Sequence, residues 1–442
     1  MAVGTRPEAI KLAPVISALR TVPAFNVRVM ATGQHREMLS SMLETFAIHP
    51  DVELGASDAE PNMNRLVARI VGRFDEVIDA EQPDLVVVQG DTTSAFAAAL
   101  AAFHGGIPVV HVEAGIRSGD LLAPYPEESN RRMIRQMATL HLAPTAVNCD
   151  NLRAEGVERS HIVITGNPVI DALTSVVESR EYKMRGPVAL PRGGQQLVLV
   201  TAHRRESWGI GLAAIAQAVV DVAHARPDVQ FVTPVHPNPR VREPLQLALA
   251  DAPNIALTGP LSYPVFVRLM QVAYMILTDS GGVQEEAPSI GIPVLVMRDT
   301  TDRPEAIDAG AARLVGTERY GIAMTALRLL DDASEHAKMS LVRNIYGDGR
   351  AASRTVAAIQ HYLGLGPRPA EFEPYHAETS PSASLRRREA AFGEGLEADW
   401  DEATTGCCVT NQQTGYRSWE DLSEASGSIA WSRDGGLGYR KQ

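Results

Sequence analysis

The sequence predicts an α/β protein of two doubly wound, Rossmann-like lobes facing a cleft, followed by a C-terminal tail. Three observations lead there. Short β-branched runs recur at 85–88, 109–112, 197–200, 230–233, 275–278 and 294–297, and strands that are largely apolar on both faces belong to parallel sheets covered by helices on each side. Each run ends in Gly, Asp, His or Ser and leads into an Ala/Leu-rich segment of helical spacing, which is the alternation of βαβ units. The pattern fills two stretches of similar length, 1–165 and 166–347, without a motif repeating at a short fixed period. Residues 348–365 are expected to return to the first lobe.

In chain order, Gly4-Thr5-Arg6-Pro7-Glu8 is a Gly turn running into a helix, with Arg6 either a surface charge or a group reaching across the cleft to a phosphate. Gln89-Gly90-Asp91-Thr92-Thr93-Ser94 leads from the run at 85–88 into a helix over 95–103. Asp91 therefore sits at a strand's carboxyl end, where such sheets bind ligands, although a helix cap would also use it. His111-Val112-Glu113-Ala114-Gly115 places a second carboxylate after the next strand, and Tyr125-Pro126-Glu127-Glu128 adds acids before the helix carrying 130–137. Clustered carboxylates disfavour one another's charge, so at least one proton is held near neutral pH, as acid/base work requires. One of Glu127 and Glu128 is expected to serve instead as charge at the helix N-terminus.

In the second lobe, Thr201-Ala202-His203-Arg204-Arg205-Glu206 follows the run at 197–200, and a His beside two Arg makes an anion site. Thr278-Asp279-Ser280-Gly281-Gly282 follows the run at 275–278. Its glycines let backbone N–H groups approach a phosphate at a helix N-terminus, and a Glu one turn into that helix can accept from ribose hydroxyls. Together these suggest a nucleoside diphosphate. The sequence has no G-x-x-x-x-G-K-[ST], no G-x-G-x-x-G after a strand and no H-E-x-x-H, which counts against an ATPase, a nicotinamide enzyme and a zinc protease.

Composition narrows the class further. The 442 residues allow two to three domains, and 45% hydrophobic with 21% charged residues excludes wholesale disorder and a membrane-embedded fold. A net charge of −12 argues against nonspecific nucleic-acid binding, so an anionic ligand needs a local site. The longest small-apolar run, 95–103, falls far short of the roughly twenty residues of a membrane-spanning helix. Arg6, Glu8 and Lys11 interrupt any signal-peptide core, and a cytoplasmic protein without a membrane partner is expected. Cys149, Cys407 and Cys408 read as unpaired thiols in a reducing compartment. Residues 366–442, rich in Pro, Ser, Glu and Arg, are expected to form a mostly disordered tail, with Trp400, Trp419 and Trp431 as sparse aromatics within it.

Gly4-Thr5-Arg6-Pro7-Glu8, Gly33-Gln34-His35-Arg36-Glu37-Met38, Gly90-Asp91-Thr92, His111-Val112-Glu113-Ala114-Gly115, Pro126-Glu127-Glu128, His203-Arg204-Arg205-Glu206 and Asp279-Ser280-Gly281-Gly282 with Glu285-Glu286-Ala287-Pro288 together resemble the bacterial non-hydrolysing UDP-N-acetylglucosamine 2-epimerases over about residues 4–363. The loop Arg298-Asp299-Thr300-Thr301-Asp302-Arg303 is similar too, with Asp302 where Glu is common. The resemblance implies a GT-B-like pair of lobes, a homodimer, and reversible conversion of UDP-GlcNAc to UDP-ManNAc through a glycal, with no metal or other cofactor, for surface polysaccharide precursors. It also implies Asp91, Glu113 and Glu127 as acid/base carboxylates and His203 as a catalytic histidine near the phosphates. Arg6, Ser280, Gly281 and Gly282 would bind the diphosphate, Glu286 the ribose and Phe266 the uracil. Gln34, Arg69 and His236 match an adjacent site where UDP-GlcNAc acts as activator, and Glu37 stands where some relatives carry Gln.

The chemistry agrees with those residue types. A sugar C2–H is a poor acid until the departing diphosphate is stabilised, and reprotonation from the other face needs a carboxyl group on each side of the ring. A GT-B glycosyltransferase, a hydrolysing epimerase and a nucleotide-sugar sensor without turnover are the rival readings. Only Met1-Ala2-Val3 precede the Gly4 turn, where relatives have a full strand, so marginal stability or lowered activity is expected.

Overall fold

Val, Ile and Leu without polar alternation build the strands at the centre of each lobe. The computed structural model describes residues 1–34, 36–55, 62–179, 195–204, 207–250 and 252–374. In the first lobe β1 (Ala2–Val3), β2 (Met30–Ala31) and β3 (Val52–Glu53) pair in parallel. β4 (Val86–Gln89), β5 (Val109–Val112), β6 (Leu140–Ala143) and β7 (Ile162–Ile164) form a second parallel set in that order, and β1 packs beside β4. The second lobe contains β8 (Leu197–Thr201), β9 (Gln230–Pro234), β10 (Ile255–Thr258), β11 (Met275–Thr278), β12 (Val294–Val296) and β13 (Ala312–Leu314). Its order is β10-β9-β8-β11-β12-β13, parallel throughout.

The strand order reverses between β8 and β11, and chain direction across the first lobe reverses where β1 meets β4. Loops leaving such neighbours in opposite directions open a crevice at their carboxyl ends. The loops at Gly4, Gly90, His203 and Asp279 all occupy those positions.

Small residues set the packing beside β4. The helix Thr93–His104 buries Ala95, Ala97, Ala98, Ala99, Ala101 and Ala102, so its backbone lies close to its neighbours. Its first turn is capped by Thr92, whose hydroxyl accepts from Ala95 N–H at 3.0 Å. Thr92 also donates to Glu8 Oε1 at 2.6 Å, while Glu8 Oε2 accepts from the N–H groups of Gly4 and Thr5 at 2.9 and 2.7 Å. A single buried carboxylate thus ties the first loop to the Asp91 loop.

The helix Pro168–Glu178 packs on Arg6–Arg20 and Ala351–Tyr362 as well as on Tyr263–Val272 and Gly281–Ser289, so it belongs to both lobes. One apolar cluster runs accordingly from Val3 and Ile16 through Ile170 and Leu173 to Tyr263 and Ile276. The chain does not leave the fold at 366 as expected. Phe372 is buried, its N–H donates to Ile164 O at 2.8 Å, and the Arg354 guanidinium lies 5.6 Å from its ring centre. This aromatic anchor, the backbone bond, and the bonds of Arg368 to the Ser160 and Ile162 carbonyls and of Arg159 to Glu371 hold this stretch despite its Pro-rich composition. The rest of the tail, with its three tryptophans and two cysteines, lies outside the described residues. Cys149 is buried and unpaired.

Candidate functional site

Asp91 follows β4 across Gly90, whose φ of +68° is one that glycine adopts without strain. The Gly90 carbonyl accepts from His111 Nε2 at 2.7 Å. Asp91 Oδ2 accepts from Arg131 Nε at 2.7 Å, and its carbonyl accepts from Asn130 Nδ2 at 2.9 Å. Burial alone would raise the Asp91 pKa, but the Arg131 guanidinium, with the charges of Arg303 and Lys11, outweighs it and holds the group below the ordinary carboxylate value. Glu127, the first residue of the helix Glu127–Met137, is shifted the other way by burial and by the Asp91 charge. Two neighbouring carboxyl groups are thus biased to opposite protonation states.

Glu113 follows β5 in the left-handed region, φ +64°, a strained conformation for a residue with a Cβ and one concentrated at functional sites. Its carboxylate accepts from Lys11, from Gln89 and, at 2.9 Å, from Asn167 Nδ2. A Cβ on Gly90 would stand 3.4 Å from Glu113 Oε2, so this carboxyl lies directly under the Asp91 loop. Burial and the Glu285 charge push its pKa upward in spite of Lys11. Glu128 is the structural member of the adjacent acid pair. It is fully buried and accepts from Ser118 N–H, Arg131 Nη1 and Arg132 Nε at 3.0, 3.3 and 3.0 Å.

In the second lobe Asp279 Oδ2 accepts from the N–H groups of His203 and Arg204 at 2.7 and 2.8 Å, which fixes the loop after β8 against the loop after β11. Ser280 stands at the N-cap position of the helix Gly281–Ser289, its side chain making no capping bond. A Cβ at Gly281 would meet Arg204 Nη2 at 3.3 Å and Arg303 Nη2 at 3.6 Å. Two guanidinium groups therefore crowd a helix N-terminus, an arrangement that holds an anion. Gly282 faces Glu286 Oε2 in the same way, at 3.7 Å. Glu286 accepts from the Tyr263 hydroxyl at 2.6 Å, and burial raises its pKa to about 7. Arg6, at the start of Arg6–Arg20, feels the Glu286 charge from the opposite lobe. Phe266 lies half-buried on the helix Tyr263–Val272.

His203 and His236 stack with ring centres 5.9 Å apart and planes 9° from parallel. Gln34 Oε1 accepts from Ser94 N–H and Oγ at 3.2 and 2.7 Å, beside the Asp91 loop, while Arg69 is exposed on Met63–Glu81. Of the sequence motifs, His35, Arg205, Glu206 and the side chain of Glu37 lie outside the described residues.

Sequence reasoning missed the ion network between the lobes. Arg303 Nε bonds Glu285 Oε1 at 2.5 Å, and Lys11 Nζ lies 3.4 Å from Glu285 Oε2. Asp302 Oδ2 takes Arg303 Nη1 at 2.7 Å and Arg131 Nη2 at 3.0 Å, and Asn167 Nδ2 donates to Glu285 Oε2 at 3.1 Å. The available signals were Lys11 inside the otherwise apolar stretch 9–16 and a second Glu beside Glu286. No group of metal-binding side chains occurs among the described residues.

Comparison with known proteins places this architecture. A sequence model of the family described as UDP-N-acetylglucosamine 2-epimerase matches residues 17–360. The Escherichia coli K12 UDP-N-acetylglucosamine 2-epimerase is 47% identical over 364 residues, covering 81% of this chain and 97% of its own. The crystal structure of the Neisseria meningitidis UDP-GlcNAc 2-epimerase bound to UDP-GlcNAc superposes with a TM-score of 0.79 at 40% identity, covering 81% of this chain and 98% of its own. The Methanocaldococcus jannaschii enzyme in complex with UDP-GlcNAc and UDP gives 0.71 at 29% identity, with the same coverage of both chains.

Proposed function

This chain belongs to the UDP-N-acetylglucosamine 2-epimerase family, and on that premise we propose that its cleft interconverts UDP-GlcNAc and UDP-ManNAc. The observation that carries the reading is the opposed bias of Asp91 and Glu127 beside a helix N-terminus flanked by Arg204 and Arg303. One carboxylate removes the C2 proton while the C1–O bond to UDP breaks and the C1–C2 double bond forms. A carboxylic acid on the other face then returns a proton to C2 as the diphosphate oxygen adds back to C1, so no electrons are gained or lost. Ionised Asp91 suits the base and protonated Glu127 the acid, and the two exchange roles in reverse. Glu113 is the third acid/base group, its pKa pushed upward by burial and by the Glu285 charge against the pull of Lys11.

Arg204, Arg303, His203, the Ser280-Gly281-Gly282 turn and Arg6 stabilise the leaving diphosphate, Glu286 holds the ribose and Phe266 faces the uracil. Closure of the lobes keeps the glycal beside UDP and away from water. Gln34, Arg69 and His236 form the adjacent activator site for a second UDP-GlcNAc, a placement supported by the stack of His236 on His203. The enzyme works as a cytoplasmic homodimer and feeds surface polysaccharide precursors. No helix among the described residues is long and apolar enough to cross a membrane.

The test is NMR of UDP-GlcNAc with the protein in D2O. Deuterium at C2, a manno-configured product and no accumulation of free sugar are expected. Release of free ManNAc, or UDP binding without exchange, would replace this reading with a hydrolysing enzyme or a sensor.

The ribose contact carries its own prediction. Glu286 becomes a carboxylate as pH rises through about 7, so UDP binding is expected to strengthen over that range. Tyr263→Phe removes a hydrogen bond to the charged form, moves the transition to higher pH and weakens UDP binding at pH 7 by up to about tenfold. Calorimetric titration with UDP between pH 6 and 8.5 measures both. An unshifted pH dependence would take Tyr263 out of the ribose site.

A further inference from the structure

Asp279 has one oxygen fully employed and one not. Oδ2 accepts the two backbone N–H groups after β8, whereas Oδ1 is buried and accepts no hydrogen bond among the described residues. His203 Nδ1 stands 3.3 Å from Oδ1. An ionised carboxylate can only accept, and leaving a buried carboxylate oxygen unserved costs free energy. We infer that Asp279 is a positioning residue which selects the tautomer of His203, keeping the proton on Nδ1 and leaving Nε2 bare.

The other constraints on the ring favour the same arrangement. One face of His203 is covered by His236, and its main chain is pinned by the same carboxylate that addresses its side chain, so the imidazole has little freedom to turn Nδ1 elsewhere. With Nδ1–H directed at Asp279, Nε2 on the far edge of the ring can accept a proton. A proton taken up at Nε2 from solvent would leave an imidazolium with Asp279 as its counter-ion, beside the departing diphosphate of the proposed reaction. With the opposite tautomer, Nε2 could donate but could take up no proton. The inference rests on His203 belonging to the sugar-nucleotide cleft, but the tautomer can be measured without turnover.

The experiment is 15N NMR of the full chain labelled at histidine, with His203 assigned by comparison with His203→Gln, recorded at a pH where the ring is neutral. The wild-type protein is expected to show Nδ1 protonated and Nε2 bare. In Asp279→Asn the amide oxygen can still accept both backbone N–H groups, while the NH2 group faces Nδ1 and reverses the tautomer. The expected result is an inverted 15N pattern, UDP affinity within about threefold of wild type, and kcat lower by roughly 10²–10⁴-fold, the scale on which a wrong histidine tautomer acts. A wild-type Nε2–H tautomer would overturn the inference whatever the activity. Unchanged tautomer and kcat in the variant would do the same. Loss of UDP binding with the wild-type tautomer retained would reduce Asp279 to a clamp on the loop.

Discussion

Replacing Asp91 by Asn is expected to lower epimerisation and C2 exchange by roughly 10²–10⁴-fold, the usual contribution of a positioned general base or acid, while UDP binds with near wild-type affinity. The amide keeps the shape of the side chain and its oxygen can still accept from Arg131 Nε, while Arg131 Nη1 and Nη2 keep their bonds to Glu128 and Asp302. The fold is therefore conserved while the ability to take a proton is removed. UDP affinity is expected to be spared because the proposed diphosphate site lies mainly in the other lobe, around Gly281, Arg204 and Arg303, and Arg6 is untouched. Glu127→Gln is expected to act alike, since an amide can neither give nor take the proton that the proposed mechanism assigns to Glu127, whose pKa burial and the Asp91 charge push upward. Unchanged deuterium incorporation in both variants would remove these carboxyls from the mechanism. Parallel loss of UDP binding would mean that the changes disturb lobe closure rather than proton transfer.

The Asp91 loop was legible because it follows an apolar run, whereas Glu127 was legible only as an acid at the start of a helix. The segments at β4, β8, β11 and β12 announce themselves through consecutive Val, Leu and Ile, and β5 and β9 more weakly through Val109-Val110 and Phe231-Val232. β6 and β13 do not, because His141 and Arg313 interrupt them, and β10 is only half-buried along its length. Sequence likewise separates poorly the jobs of adjacent acids. Glu127 and Glu128 look alike in the chain, but a helix turns neighbours about 100° apart, so one meets Asp91 and the other Arg131 and Arg132. Long-range charge pairing is harder still. Lys11 and Glu285 come together only because two lobes and a shared helix pack face to face. Nothing local in either segment reports that juxtaposition.

That packing makes Arg131→Met the change with the largest expected effect on stability. Arg131 is buried and bonds Asp91, Glu128 and Asp302, the last from the opposite lobe. Met fills much of its volume but leaves three acids short of a cation, and removing one partner of a buried pair costs about 3–5 kcal/mol. Arg298 and Arg303 still serve Asp302, and Arg132 still serves Glu128, so the unmet charge falls mainly on Asp91. Asp91 has its pKa lowered in the folded protein, so its pairing contributes stability above the unfolded value, near 3.8, and loses it as pH falls through the folded value. The deficit of the variant in urea unfolding is accordingly expected to be full at pH 7 and to shrink as pH falls from about 4, where the unfolded chain takes up the proton first, through the lowered folded value of Asp91. Activity should respond in the matching direction. Without Arg131, burial raises the Asp91 pKa, and the acid limb of the kcat/KM profile moves to higher pH. Adding Asp302→Asn to Arg131→Met should recover part of the stability, because the two positions share one contact, without returning the acid limb. A stability loss under about 1 kcal/mol at pH 7, or an acid limb that stays in place, would show that Arg131 neither holds the lobes together nor keeps Asp91 ionised.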